Sequence, residues 1–201
     1  MNLTIEVKIV TTPGRGVFLE KTLETMNHPR VTVYWPAGEL AERRPQYQQD
    51  GMYVAALRDI PFTGGALVCD DDIIFRPGWQ SLLGRELEPA KITTLYVPAG
   101  GRSETVYGRG LFLGSQAIWW PGTLATLFAD WLEINSRATD AQFPQTSSPS
   151  SVDSLLAVWL AINNIPMARL SLDITDHQSH PNRMPDNRPP HCSDTFQEEY
   201  K

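Results

Sequence analysis

Residues 66–79 read Ala-Leu-Val-Cys-Asp-Asp-Asp-Ile-Ile-Phe-Arg-Pro-Gly-Trp. An apolar run stops at three consecutive carboxylates, a second apolar triplet follows, and Pro77-Gly78 closes the stretch. An apolar run of this length, followed by turn residues, reads as a buried strand. Three adjacent acids at its end repel one another, and each needs water or a counter-charge. The plain alternative is a solvated acidic turn, since Asp is frequent in turns. The sharper one is a divalent cation: Mg2+ or Mn2+ takes carboxylate oxygens and leaves positions for substrate phosphates.

The segments before it repeat one pattern. Residues 4–11 alternate and then turn apolar, which predicts a strand ending at the turn Thr12-Pro13-Gly14-Arg15-Gly16. A helix follows, with Phe18, Leu19, Leu23 and Met26 on one face. Val31–Trp35 is a second strand, and Pro36-Ala37-Gly38 a second turn. A helix over about 46–58 draws on Tyr47, Val54, Ala55 and Leu57, and Gly64-Gly65 leads into the acidic strand. Strand–helix–strand–helix–strand predicts an α/β domain with a parallel sheet. The acids then fall at a carboxyl end, where such sheets bind ligands. Backbone N–H groups at the helix start suit phosphates, with Arg15 adding charge, although on this piece alone an ordinary strand–helix connection is the better reading. The loop is neither a dinucleotide fingerprint nor a P-loop.

Beyond the acids, Trp79, Leu82, Leu83 and Leu87 mark a short helix, and Thr93–Val97 and Val106–Leu113 two further strands. Trp119-Trp120-Pro121-Gly122 is read as opening a helix capped by Thr123, with a core stripe of Leu124, Leu127, Phe128, Trp131 and Leu132. Residues 135–151 read as a loop, a lid if functional. Ser151 caps a helix carrying Leu155, Leu156, Trp159 and Leu160, and Asp153 falls in its first turn. An acid there complements the helix dipole or serves as a base facing a cleft. Ile165–Leu170 reads as a final edge strand. From Asp173 onward the chain reads as a tail that holds His177, His180 and His191. A histidine returned to the acidic cluster would complete a mixed oxygen–nitrogen metal site.

The 201 residues, 41% of them hydrophobic, suffice for one domain with a real core. The net charge of −6 argues against a generic nucleic-acid surface. Cys69 and Cys192 form no disulfide framework, which points to reduced thiols and a cytoplasmic setting. The N-terminus lacks the pattern of a signal peptide, and no apolar run approaches membrane-spanning length.

In order and in motif these pieces resemble nucleotide-sugar glycosyltransferases of the GT-A fold. Val10-Thr11-Thr12-Pro13 with Arg15 looks like the first strand and base-binding loop, 67–79 like the "DxD" segment in its "EDD" style, and 152–156 like the "(E/D)D-x-x-L" helix. The resemblance implies a Rossmann-like, mostly parallel sheet flanked by helices in a single domain over residues 1–180, with an irregular tail over 181–201. It implies a metal-dependent transferase that moves a hexosyl or pentosyl group from a nucleotide-diphosphate donor to a hydroxyl acceptor, with Mn2+ or Mg2+ as cofactor. A UDP-sugar is favoured by family frequency, and inversion is favoured over retention. Thr11, Thr12, Pro13 and Arg15 would hold the nucleotide. Asp72 would bind the metal directly, with Asp70 supporting it or touching the ribose and His177 or His180 as a further ligand. Asp71 would contact the donor sugar or support the metal's ligands from behind, and Asp153 would take the acceptor proton. Ser154 departs from the pattern, standing where many inverting members carry a second acid.

A compact chain of this kind looks bacterial or viral. A glycan ranks ahead of modified phage DNA as acceptor, the latter bringing Arg43, Arg44, Arg102 and Arg109 onto phosphates. The alternatives are a nucleotidyltransferase and a non-catalytic, metal-stabilised sugar-binding domain. The first usually needs a more basic glycine-rich loop than Thr12–Gly16 supplies.

Overall fold

The computed structural model describes residues 5–43, 45–96, 117–142, 152–171 and 173–178, with backbone alone at 45–47, 136–142, 153, 154 and 177. The elements run β1 (Val7–Val10), α1 (Gly16–Met26), β2 (Val31–Tyr34), a 3-10 turn (Gly38–Glu42), α2 (Pro45–Arg58), β3 (Gly65–Asp70) and β4 (Ile73–Phe75). They continue with α3 (Trp79–Glu86), β5 (Ile92–Thr94), β6 (Ala117–Pro121), α4 (Gly122–Gln142), α5 (Val152–Ile162), β7 (Met167–Arg169) and β8 (Thr175–His177).

Six strands form the main sheet in the order β2-β1-β3-β6-β5-β7. β1 is parallel to β2 and β3, and β5 to β7, whereas β6 runs antiparallel to both of its neighbours. Alternation of side chains across a strand divides the apolar residues between two faces. Ala66 and Val68 of β3, with Ile118 and Trp120 of β6, join a core with residues of α2, α4 and α5. Leu67, Cys69, Ala117 and Trp119 face the other way, onto Leu19 and Met26 of α1 and Trp79 and Leu83 of α3. The second core includes β4, which pairs with β8 in a small antiparallel sheet.

Several expectations need correction. Trp119 and Trp120 do not open a helix; they are strand residues, buried on opposite faces of the sheet. The chain turns at Gly122, where a Cβ would lie 1.9 Å from the Pro61 carbonyl oxygen. Only glycine allows that approach, so α4 starts there and Thr123 sits inside its first turn instead of capping it. The loop expected over 135–151 is helical as far as Gln142. Leu23, Ala55 and Leu127 are exposed, and the buried faces use Thr22, Ala56, Ala125 and Ala129 in their place. The tail does not begin at Asp173: Asp173, Ile174, Thr175 and Asp176 are buried, and β8 pairs with β4. A three-residue strand is too short for a period, so its pairing is visible only in three dimensions. The Val106–Leu113 strand, residues 143–151 and the 181–201 tail lie outside the described residues.

Candidate functional site

The topology first fixes where the acids go. β1, β2 and β3 are parallel, so their carboxyl ends share one edge. Val10 and Asp70 are register partners at that edge, which places Thr11 beside the acidic turn. Thr11 donates its hydroxyl to the Asp71 carboxylate. Arg15, the residue preceding α1, donates from Nε to the two Asp71 oxygens at 2.6 and 2.8 Å, and its Nη2 also pairs with Asp72. Asp71 is 2% exposed and Asp72 5%, and a guanidinium held between these two buried carboxylates supplies them with counter-charge. Burial opposes the charge on Arg15. Hydrogen bonding to Asp71 and the attraction of Asp72 and Asp71 outweigh it and raise the guanidinium pKa.

Asp70 is the last residue of β3 and continues the alternation toward the α2 face. Its Oδ1 accepts a hydrogen bond from the buried Tyr53 hydroxyl at 3.0 Å. Thr12 is half-buried and Pro13 exposed on the loop between β1 and α1. Thr11, Arg15, Asp71 and Asp72 are therefore brought together, while Asp70 is held by a different helix.

The acidic turn is anchored from below. The Thr22 hydroxyl lies 2.7 Å from the Asp71 carbonyl and 2.8 Å from that of Ile73, and it accepts the Ile73 N–H. The Gln178 side-chain amide reaches the same hydroxyl at 3.1 Å, and the Gln178 backbone N–H donates to the Asp72 carbonyl at 2.7 Å. Thr22→Val keeps the shape but leaves the buried Ile73 N–H unpaired. It is expected to cost about 2 kcal/mol in urea unfolding. An unchanged midpoint would mean that the turn stands without this hydroxyl.

The same pairing sets His177 opposite Ile73, one residue beyond Asp72. His180 lies outside the described residues. Asp153 is the second residue of α5, and its side chain is not described. Among the described residues no three His, Cys, Asp or Glu side chains form a group able to hold a metal. The donor set nevertheless suits a hard cation. Such ions are commonly held by one or two carboxylates together with substrate phosphates, and Arg15 already stands in as a cation on Asp71 and Asp72.

One acid escaped the sequence reading. Asp50 lies on the buried face of α2, one turn before Tyr53 and Val54, and is 7% exposed. Burial alone pushes its carboxyl up to about 7. With its folded pKa above the unfolded one, the ionised carboxylate costs stability progressively from about pH 4 and fully above about pH 7. The available signal was an acid on the apolar stripe of residues 50, 53, 54 and 57, at helical spacing.

This architecture and site edge define the GT-A type of α/β fold. The chain superimposes on the apo form of the glycosyltransferase GlyE of Streptococcus pneumoniae TIGR4 with a TM-score of 0.50 at 10% identity, covering 84% of this chain and 46% of that one. It thus spans less than half the length of GlyE, and the likeness is one of fold. The galactosyltransferase LgtC, solved with donor and acceptor sugar analogues, aligns with a TM-score of 0.47 at 8% identity over 82% of this chain and 73% of that one. A glycosyltransferase involved in glycosylation of the PBCV-1 major capsid aligns at 0.48 and 14%, over 82% and 80%. No family model and no curated sequence matches the chain. Among the described residues no helix is long and apolar enough to cross a membrane.

Proposed function

We propose that the protein is a metal-dependent glycosyltransferase that moves a hexosyl or pentosyl group from a nucleotide-diphosphate donor, a UDP-sugar by preference, to a hydroxyl of a glycan acceptor. One observation carries this reading: two buried carboxylates, Asp71 and Asp72, converge on one cation at the carboxyl edge of a GT-A sheet. That edge is where open α/β sheets take nucleotides.

In this reading Thr11, Thr12, Pro13 and Arg15 receive the nucleotide. Asp70, steadied by Tyr53, turns to the ribose or supports the metal. Asp72 is the direct metal ligand, with Asp70 and His177 or His180 completing the set, and Asp71 holds the donor sugar. When bound, Mn2+ or Mg2+ supplies positive charge against the departing diphosphate. Asp153 takes the proton of the acceptor hydroxyl as that oxygen bonds to the anomeric carbon. The bond from carbon to phosphate oxygen breaks, its electron pair leaves with the diphosphate, and the configuration inverts. A base is needed because a sugar hydroxyl is a weak nucleophile at neutral pH.

The test is calorimetric titration of UDP, GDP and CDP with and without Mn2+. Wild type is expected to bind one of them only with metal, and Asp72→Asn to lose that metal dependence with at least a tenfold loss of affinity. Absence of binding to all three in Mn2+ would sink the reading.

A further inference from the structure

Asp50 is a buried acid that the mechanism above does not use. The connection from β2 through α2 to β3 runs from the carboxyl edge of the sheet back to its amino edge, because β2 and β3 are both parallel to β1. The start of α2 therefore stands at the nucleotide edge. Tyr53 lies on the buried face of this helix and its hydroxyl reaches Asp70, the final residue of β3. Asp50 precedes Tyr53 by three residues on that face, about 4.5 Å further along the axis toward the helix start. Helical side chains also lean toward the N-terminus, so the carboxylate of Asp50 is carried to the level of the sheet edge or past it.

At 7% exposure, Asp50 has no hydrogen-bond or ion-pair partner among the described residues, and burial is the sole cause of its raised pKa. Buried polar groups are almost always paired, and one that is not calls for an explanation. Neighbouring Gln48 shows what pairing looks like here: its amide donates to the carbonyls of Ala41 and Arg43 at 2.9 and 2.8 Å. A carboxyl raised by burial at a ligand edge is a candidate for a binding or catalytic position. In its ionised form the group only accepts, so the partner that would hold that form is a donor, and two oxygens suit two donors side by side. In a nucleoside diphosphate such donors belong to the nucleoside: base N–H groups or the ribose hydroxyls.

We infer that Asp50 is a donor-specificity residue whose carboxylate accepts hydrogen bonds from the nucleoside of the sugar donor. This rests on the glycosyltransferase reading and deepens it. Asp72 and Arg15 handle the charged diphosphate end, Asp71 the sugar, and Asp50, on the α2 side of the sheet, selects the nucleoside end.

The experiment titrates UDP, GDP, CDP, their 2′-deoxy forms and inorganic pyrophosphate, all with Mn2+, into wild type, Asp50→Asn and Asp50→Ala. Both variants are expected to bind the preferred nucleotide at least tenfold more weakly and pyrophosphate as wild type does. Their thermal midpoints at pH 8 should not fall, since the fold gains nothing from this carboxylate. A preference among bases that flattens in the variants identifies base N–H groups as the donors. A 2′-deoxy nucleotide that binds wild type weakly and is insensitive to the substitutions identifies the ribose. Nucleotide affinities equal to wild type in both variants would overturn the role of Asp50 alone. Wild type that binds none of the nucleotides would overturn the underlying reading with it.

Discussion

Arg15→Ala is expected to lose about 3 kcal/mol of stability in the presence of a chelator, and Mn2+ is expected to recover most of it. The reason lies in the pair it would leave behind. Asp71 and Asp72 are almost wholly buried, and Arg15 touches both. Removing the guanidinium takes from two neighbouring buried carboxylates the positive charge that touches both. A ligand that binds the folded state alone stabilises it by mass action, so a cation filling the same gap should raise the variant's midpoint more than that of wild type. Urea unfolding of both proteins in EDTA and in Mn2+ measures this. Equal stability in EDTA would show that the acids do not depend on Arg15. Equal stabilisation of the two proteins by Mn2+ would show that a metal and the guanidinium do not share a place.

Asp153→Ala is expected to lower turnover about a thousandfold while leaving the affinity for the donor nucleotide unchanged, as befits a general base that acts on the acceptor. The competing role is modest. An acid in the first turn of α5 also complements the helix dipole, and its loss on that account costs about 0.5 kcal/mol of stability and no chemistry. Turnover with the nucleotide sugar identified by titration separates the two. Activity within a few-fold of wild type would leave Asp153 a helix-start acid and remove the inverting mechanism proposed here.

The sequence made the first half of the fold legible because its elements are long enough to carry a period. α2 was expected over about 46–58 and runs Pro45–Arg58, and β3 ends in the acids as its composition predicts. Errors collected where a short segment is decided by its neighbours. Trp119 and Trp120 read as the opening of a helix. They are strand because β6 slots between β3 and β5 and buries one ring on each face of the sheet. Thr22 stands outside the apolar face read for α1, yet it is fully buried, since its hydroxyl closes the acidic turn. Tyr53 and Asp50 went unremarked because a single helix gives no sign of which strand end it faces.

The sequence by itself determined the α/β order, the parallel start of the sheet and the position of three acids at a strand end. These follow from local periodicity and turn chemistry, which act over a few residues. Which acid meets which partner was decided only by tertiary structure. Arg15 closes on Asp71 and Asp72 across more than fifty residues of chain, Tyr53 holds Asp70 from the opposite face, and β8 returns to brace the turn through Gln178. Side-chain alternation at the end of β3 sends neighbouring carboxylates toward different helices, and only the packed sheet fixes what stands there to receive them.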